Sequence, residues 1–85
     1  MEQVDGELIG SIAAAKEAGI SLRQLYHWVD TLHVVEPQIR QHGTREFRRF
    51  TSGDLERLRK MRDLVVWGYT PQAAAGIAKG EQEPS

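Results

Sequence analysis

The sequence predicts a mainly α-helical domain carrying one small β-hairpin, and three observations carry that prediction. Two short stretches of helical periodicity meet at Ala18-Gly19-Ile20-Ser21. Two extended runs flank the turn residues around Gly43. A long amphipathic stretch then opens at Thr51 and stops at Gly68. With 85 residues, 40% of them apolar, the chain is expected to form one domain with a modest core. That domain is expected over residues 9–79, between a flexible segment at 1–8 and a flexible tail at 80–85.

Helix 1 is expected to begin at Ser11, acting as N-cap, with Ile12, Ala15 and Ala18 facing inward. Gly19 supplies the positive φ that closes a helix, and Ile20 fills the corner. Ser21 with Gln24 three residues on reads as a capping box opening helix 2. Helix 2 is expected to reach Leu32, because Leu25, Trp28, Val29 and Leu32 fall at i, i+3, i+4 and i+7. Arg23, Tyr26, His27 and Asp30 lie off that apolar face. Two short helices joined by a glycine-containing turn are a helix–turn–helix signature.

Val34 to Arg40 is β-rich and contains Pro37, so it is read as a first strand. Gln41 to Thr44 is read as its turn and Glu46 to Phe50 as the second strand. A lone hairpin is marginal, so it must lean on the helices, through Phe47 or Phe50. Thr51 and Asp54 form a second capping-box pattern, opening a helix from Ser52 to Trp67. Leu55, Leu58, Met61, Leu64, Val65 and Trp67 are its expected apolar side. Thr70-Pro71 starts a short, alanine-rich fourth helix, with proline at the tolerated first position.

The formal net charge of −1 conceals a polarised chain. Residues 40–62 hold eight of the eleven bases against three acids, a local net of +5, whereas residues 1–36 hold two bases against six acids. One basic patch on an otherwise acidic chain is the electrostatic footprint of a phosphate-backbone binder. The absence of cysteine excludes disulfides, thiolate metal sites and cysteine nucleophiles. His27, His33 and His42 have no metal-ligand spacing. No phosphate loop, paired-carboxylate site or nucleophile–base pair is evident, so neither enzymatic activity nor a cofactor is expected. No apolar run approaches the ~20 residues of a membrane span. Met1 to Glu7 lacks the basic start and apolar segment of a signal peptide. A soluble cytoplasmic, nucleoid-associated protein is expected.

Three stretches, in order, resemble the N-terminal winged helix–turn–helix DNA-binding domain of the MerR family over residues 11–78. Gly19 to Trp28 is similar to the family's turn and recognition helix, Phe47 to Leu55 to its wing strand running into helix 3, and Leu64 to Pro71 to the corner between helices 3 and 4. The resemblance implies a helix–turn–helix, a two-stranded wing, a long helix and a short one. It departs from the family at Tyr26-His27-Trp28, where an Arg-Tyr-Tyr run is usual, and at Glu46, where glycine is common. An acid there would weaken phosphate binding unless Glu46 pairs with Arg45 or Arg48. The Arg23-Gln24-Leu25 variant with a later tryptophan resembles small actinobacterial and phage members. The family's dimerising helix and effector domain have no counterpart in these residues. No small-molecule effector is therefore expected, and the protein is expected to be a monomer that pairs, if at all, on DNA.

Candidate DNA-binding residues follow from motif position and chemistry. Ser21 and the first amides of helix 2 can meet phosphate oxygens beyond the hydroxyl's capping role. Arg23 is placed to read a guanine edge or a phosphate rather than stand as a solvated arginine. Tyr26 and His27 extend the same exposed face. Trp28 occupies the place of a family tyrosine near the backbone, but its apolar face makes core packing the preferred reading. Strand alternation puts Arg48 on one face with Phe50, and Arg49 on the other with Phe47. Only one of the pair can readily face the groove, and the resemblance favours Arg48. Arg45 is a backbone or minor-groove reacher and Arg40 a weaker one. Arg57, Arg59, Lys60 and Arg62 read as a solvated face of helix 3, from which Arg57 or Lys60 can touch flanking phosphate.

The expected function is sequence-specific binding of double-stranded DNA by a transcriptional regulator. An excisionase-like, DNA-bending recombination factor of a phage or mobile element is the alternative with the same partner. A protein-interaction module using the exposed aromatics is the alternative from another class.

Overall fold

The computed structural model describes residues 8–80. The element order is α1 (Ser11–Ala18), α2 (Leu22–Asp30), β1 (Gln38–His42), β2 (Arg45–Arg49), α3 (Ser52–Val66) and α4 (Pro71–Ala78). This is a winged helix–turn–helix, the fold the sequence predicts. The flexible ends expected at 1–8 and 80–85 lie, apart from Leu8 and Gly80, outside the described residues.

Local chemistry sets most boundaries. Gly19, at φ 75°, ends α1, and its left-handed turn lets Ile20 N–H return to the Ala15 carbonyl at 3.0 Å. Both capping boxes form. The Ser21 hydroxyl accepts from Gln24 N–H at 3.0 Å, and the Gln24 side chain accepts from Ser21 N–H at 3.1 Å. Thr51 and Asp54 repeat the exchange at 3.1 and 3.0 Å. The Thr70 hydroxyl caps Ala73 N–H at 3.2 Å, ahead of Pro71.

Helix 1 corrects two expectations. Its N-cap is Gly10, without a side-chain cap bond, and Ser11 is its first helical residue. Ile12 is 74% exposed, while Ala14, Ala15 and Ala18 are buried. The inward stripe is therefore made of alanines, which let α1 approach its neighbours closely. Helix 2 ends at Asp30 with Thr31 as C-cap, two residues before Leu32, which is half-buried.

The wing is shifted along the chain relative to the sequence reading, with five residues in each strand. Gln38 pairs with Arg49 and His42 with Arg45, leaving Gly43-Thr44 as a two-residue turn. Gly43 has φ 67°, the sign such a turn requires at its first position. Val34 and Val35 are no strand: both are buried in the core. His33, at φ 55°, reverses the chain after α2, and Val34 N–H returns to the Trp28 carbonyl at 3.0 Å. Their β-branched side chains plug the domain beneath α2 instead of pairing with β2.

Phe50, Leu25, Leu58, Met61, Val34 and Val35 are the largest fully buried side chains. Trp28, only 3% exposed, joins them, so the apolar face of α2 carries it into the core. Phe50 is the wing's anchor, and its backbone exchanges hydrogen bonds with Ile9 at 2.8 and 3.1 Å. Trp67 corrects the expected apolar side of α3: it is the C-cap and 74% exposed. Helix 4 buries Ala74 to Ala78 against α3, where small side chains permit close packing.

The arginines of α3 are only partly a solvated face: Arg57 is exposed and Arg59 and Arg62 keep 42% and 38% of their side-chain surface, yet each also makes an intramolecular contact. Arg59 donates to the Glu17 carbonyl at 3.3 Å and pairs with its carboxylate at 3.2 Å. Arg62 donates to the Ala18 carbonyl at 3.2 Å while pairing with Asp63 at 2.8 Å. Those carbonyls are at the C-terminal end of α1, where the helix leaves acceptors unsatisfied and carries partial negative charge. Arg57 donates to the Val34 carbonyl at 3.4 Å. Three cations counted toward a basic patch thus tie α3 to α1 and to the segment after α2.

Candidate nucleic-acid interface

Helix 2 turns its core face, Leu25, Trp28 and Val29, inward. At about 100° per residue, Arg23, Tyr26, His27 and Asp30 then fall within an arc of roughly 100° on the other side. All four are exposed. The Ser21–Gln24 box satisfies the amides of those two residues. The amides of Leu22 and Arg23 are first-turn groups without intrahelical acceptors, in the part of a helix that attracts anions.

The wing meets this helix along one groove. Its walls are Tyr26 and Asp30 of α2, residues 45–49 of β2, and residues 10–13 at the start of α1. The strand places Arg45, Phe47 and Arg49 on one face, as alternation requires. The guanidinium carbons of Arg45 and Arg49 each stand 5.5 Å from the centre of the Phe47 ring. A ring with a cation on either side holds both arginines in defined orientations and separates their charges.

Arg48 has different surroundings. Its Nη2 lies 3.0 and 3.2 Å from the two carboxylate oxygens of Asp30, and its guanidinium carbon is 5.4 Å from the Tyr26 ring centre. Glu46 pairs with neither Arg45 nor Arg48: its carboxylate accepts from the Gln41 amide across the hairpin at 3.3 Å. Arg40, on the opposite strand, donates to Gln38 at 3.2 Å.

Of the sequence-derived candidates, Tyr26, Arg45, Arg48 and Arg49 come together around the groove. Ser21, Arg23 and His27 stand on the exposed surface of α2 beside it. Sequence reasoning missed two participants. Asp30 has a partner eighteen residues away, which no local pattern signals. The groove-lining start of α1 was obscured because Ser11 looked like a cap. The glycine before Ser11 was the available signal: a Cβ on Gly10 would come within 2.8 Å of Arg49 Nη1.

Among the described residues, no cluster of three His, Asp or Glu side chains is arranged to hold a metal ion. No described helix is long and apolar enough to cross a membrane. The model of a family described as the MerR HTH family regulatory proteins matches residues 12–81. No curated protein matches the chain.

Proposed function

The chain belongs to the MerR family of helix–turn–helix regulatory proteins, and from that premise we propose that it is a sequence-specific regulator whose α2 enters the major groove of duplex DNA. Binding of double-stranded DNA is the property of the family's helix–turn–helix. The wing, in this reading, lies along the adjacent backbone or minor groove. The observation that carries it is the shared groove, which Tyr26 and Asp30 on the exposed face of α2 line together with residues 45–49 of β2.

Roles divide by chemistry. Arg23, Tyr26 and His27 contact base edges and nearby phosphates, with Arg23 suited to bidentate reading of guanine. The amides at the start of α2, with Ser21 fixing their geometry, take a phosphate oxygen. Arg45 and Arg49, held by Phe47, contact the backbone without reading sequence.

Selection of bound sequences from a random duplex pool tests this directly. A recovered motif at isolated, symmetric sites is the expected result. Tandem repeats loaded cooperatively, with a measurable bend, would instead assign the protein to DNA architecture and recombination. No enrichment and no gel shift at low salt would refute DNA binding and favour a protein partner.

A further inference from the structure

We infer that Arg48 is a positioning residue: paired with Asp30, it latches the wing onto α2 and fixes the spacing of the two DNA-facing elements, without touching DNA itself. The inference rests on the DNA-binding reading above and deepens it, because it removes one arginine from the contact set and gives it another task.

Three observations support the latch. Both Asp30 carboxylate oxygens lie within 3.2 Å of Arg48 Nη2. Arg48 Nη1 is shut off from solvent and has no hydrogen-bond partner. One terminal nitrogen is thus engaged by Asp30 and the other enclosed, although the Arg48 side chain keeps 31% of its surface exposed. The Tyr26 ring stacks against the same guanidinium, so the cation is held from two positions one turn apart on α2.

Asp30 supplies the converse argument. It lies on the exposed arc of α2, angularly between Tyr26 and His27. A free carboxylate there would repel the phosphates that its neighbours attract. Neutralised by Arg48, it becomes tolerable on that face. Its counter-charge comes from β2, so the pairing also determines where β2 lies. The Asp30–Arg48 pair forms a partition, lining the wing groove on one side and a smaller hollow with His33 and Pro37 on the other. Across the hairpin, Arg48 is opposite Ile39, which is 52% exposed and offers no buried anchor of its own. Phe50 fixes the wing's base, and the latch is what fixes its lean.

The test has one arm without DNA. The chain contains no cysteine, so Thr31→Cys and Thr44→Cys introduce the sole sites for paired spin labels. Their distance distribution is expected to broaden in Arg48→Ala and in Asp30→Asn, with both variants still folded by circular dichroism. An unchanged distribution in both overturns the latch. The second arm measures affinity for the selected duplex. Each variant is expected to bind about five-fold more weakly, the scale of an exposed ion pair reinforced by ring stacking. The double variant should be no weaker than either single one, and the salt dependence should keep its slope. Tighter binding by Asp30→Asn, or a slope reduced by about one in Arg48→Ala, would overturn the inference by making Arg48 a phosphate contact. If the unmodified chain binds no duplex, the DNA reading fails, and the spin-label arm still decides the latch.

Discussion

Arg48 and Arg49 are adjacent in sequence and opposite in circumstance. Arg49 shares the Phe47 ring with Arg45 and donates to the Arg48 carbonyl at 3.4 Å. Arg48 points the other way, into α2. Alternation made that division legible in the sequence, as it made legible the partnership of Arg49 with Phe47. It left unresolved which arginine was free, because that depends on Asp30, which tertiary folding alone brings near. Arg23 is the residue on which sequence reading is expected to depend. Arg23→Ala should relax preference at one or two positions of the selected motif, at about 1–3 kcal/mol of discrimination per lost bidentate contact. Repeating the selection with the variant checks this; an unchanged motif would return Arg23 to the status of a solvated arginine.

At the scale of elements, the turn between α1 and α2 concentrates the largest expected cost of a small substitution. Gly19 adopts φ 75°, and a Cβ there would meet Arg62 Nη1 at 2.5 Å. Gly19→Ala should destabilise the domain by about 1–2 kcal/mol from the backbone conformation alone, with a further loss as Arg62 is displaced from the Ala18 carbonyl. Urea unfolding of the variant beside the unmodified protein measures it, and an unchanged midpoint would contradict the account. The same turn was readable in advance because its determinants are local: a glycine, then a serine and a glutamine three apart. Both capping boxes were readable for that reason. The wing was less so. Val34 and Val35 have the composition of a strand, and only the reversal at His33 with the space beneath Trp28 makes them core. Ile12 and Trp67 failed in the opposite sense. Periodicity identifies the inward side of a helix along its middle, but it does not show how far neighbouring elements extend over its ends.

For the whole molecule, half of the eight bases in the run from Arg40 to Arg62 are engaged by acceptors of the protein itself. Arg48, Arg59 and Arg62 each pair with a carboxylate, and Arg57 is held by a carbonyl. Composition locates the partner but overstates the charge offered to it. With Arg23, Arg45 and Arg49 as the phosphate-neutralising cations, the logarithm of affinity should fall against the logarithm of salt with a slope of about −3 per protomer. Titration of the selected duplex between low and moderate salt checks that value. A slope near −5 would mean that the helix-3 arginines leave their carbonyls for DNA. The fold was legible at this scale because element order, turn chemistry and family resemblance agreed. The inward use of the arginines was not, since their acceptors are carbonyls of residues more than twenty positions away.

The two tryptophans stand at opposite extremes of exposure, Trp28 at 3% behind α2 and Trp67 at 74% at the end of α3. The protein therefore carries two intrinsic fluorophores in unlike surroundings. Native emission should separate into a blue component from Trp28, inaccessible to iodide, and a red, readily quenched one from Trp67. Trp67→Phe, at an exposed site, should leave stability almost unchanged and make the remaining emission report on the back of α2 alone. Unfolding followed in that variant would register as a red shift toward the wavelength that Trp67 already shows in the native state. A single, uniformly quenchable emission band in the unmodified protein would contradict the burial of Trp28.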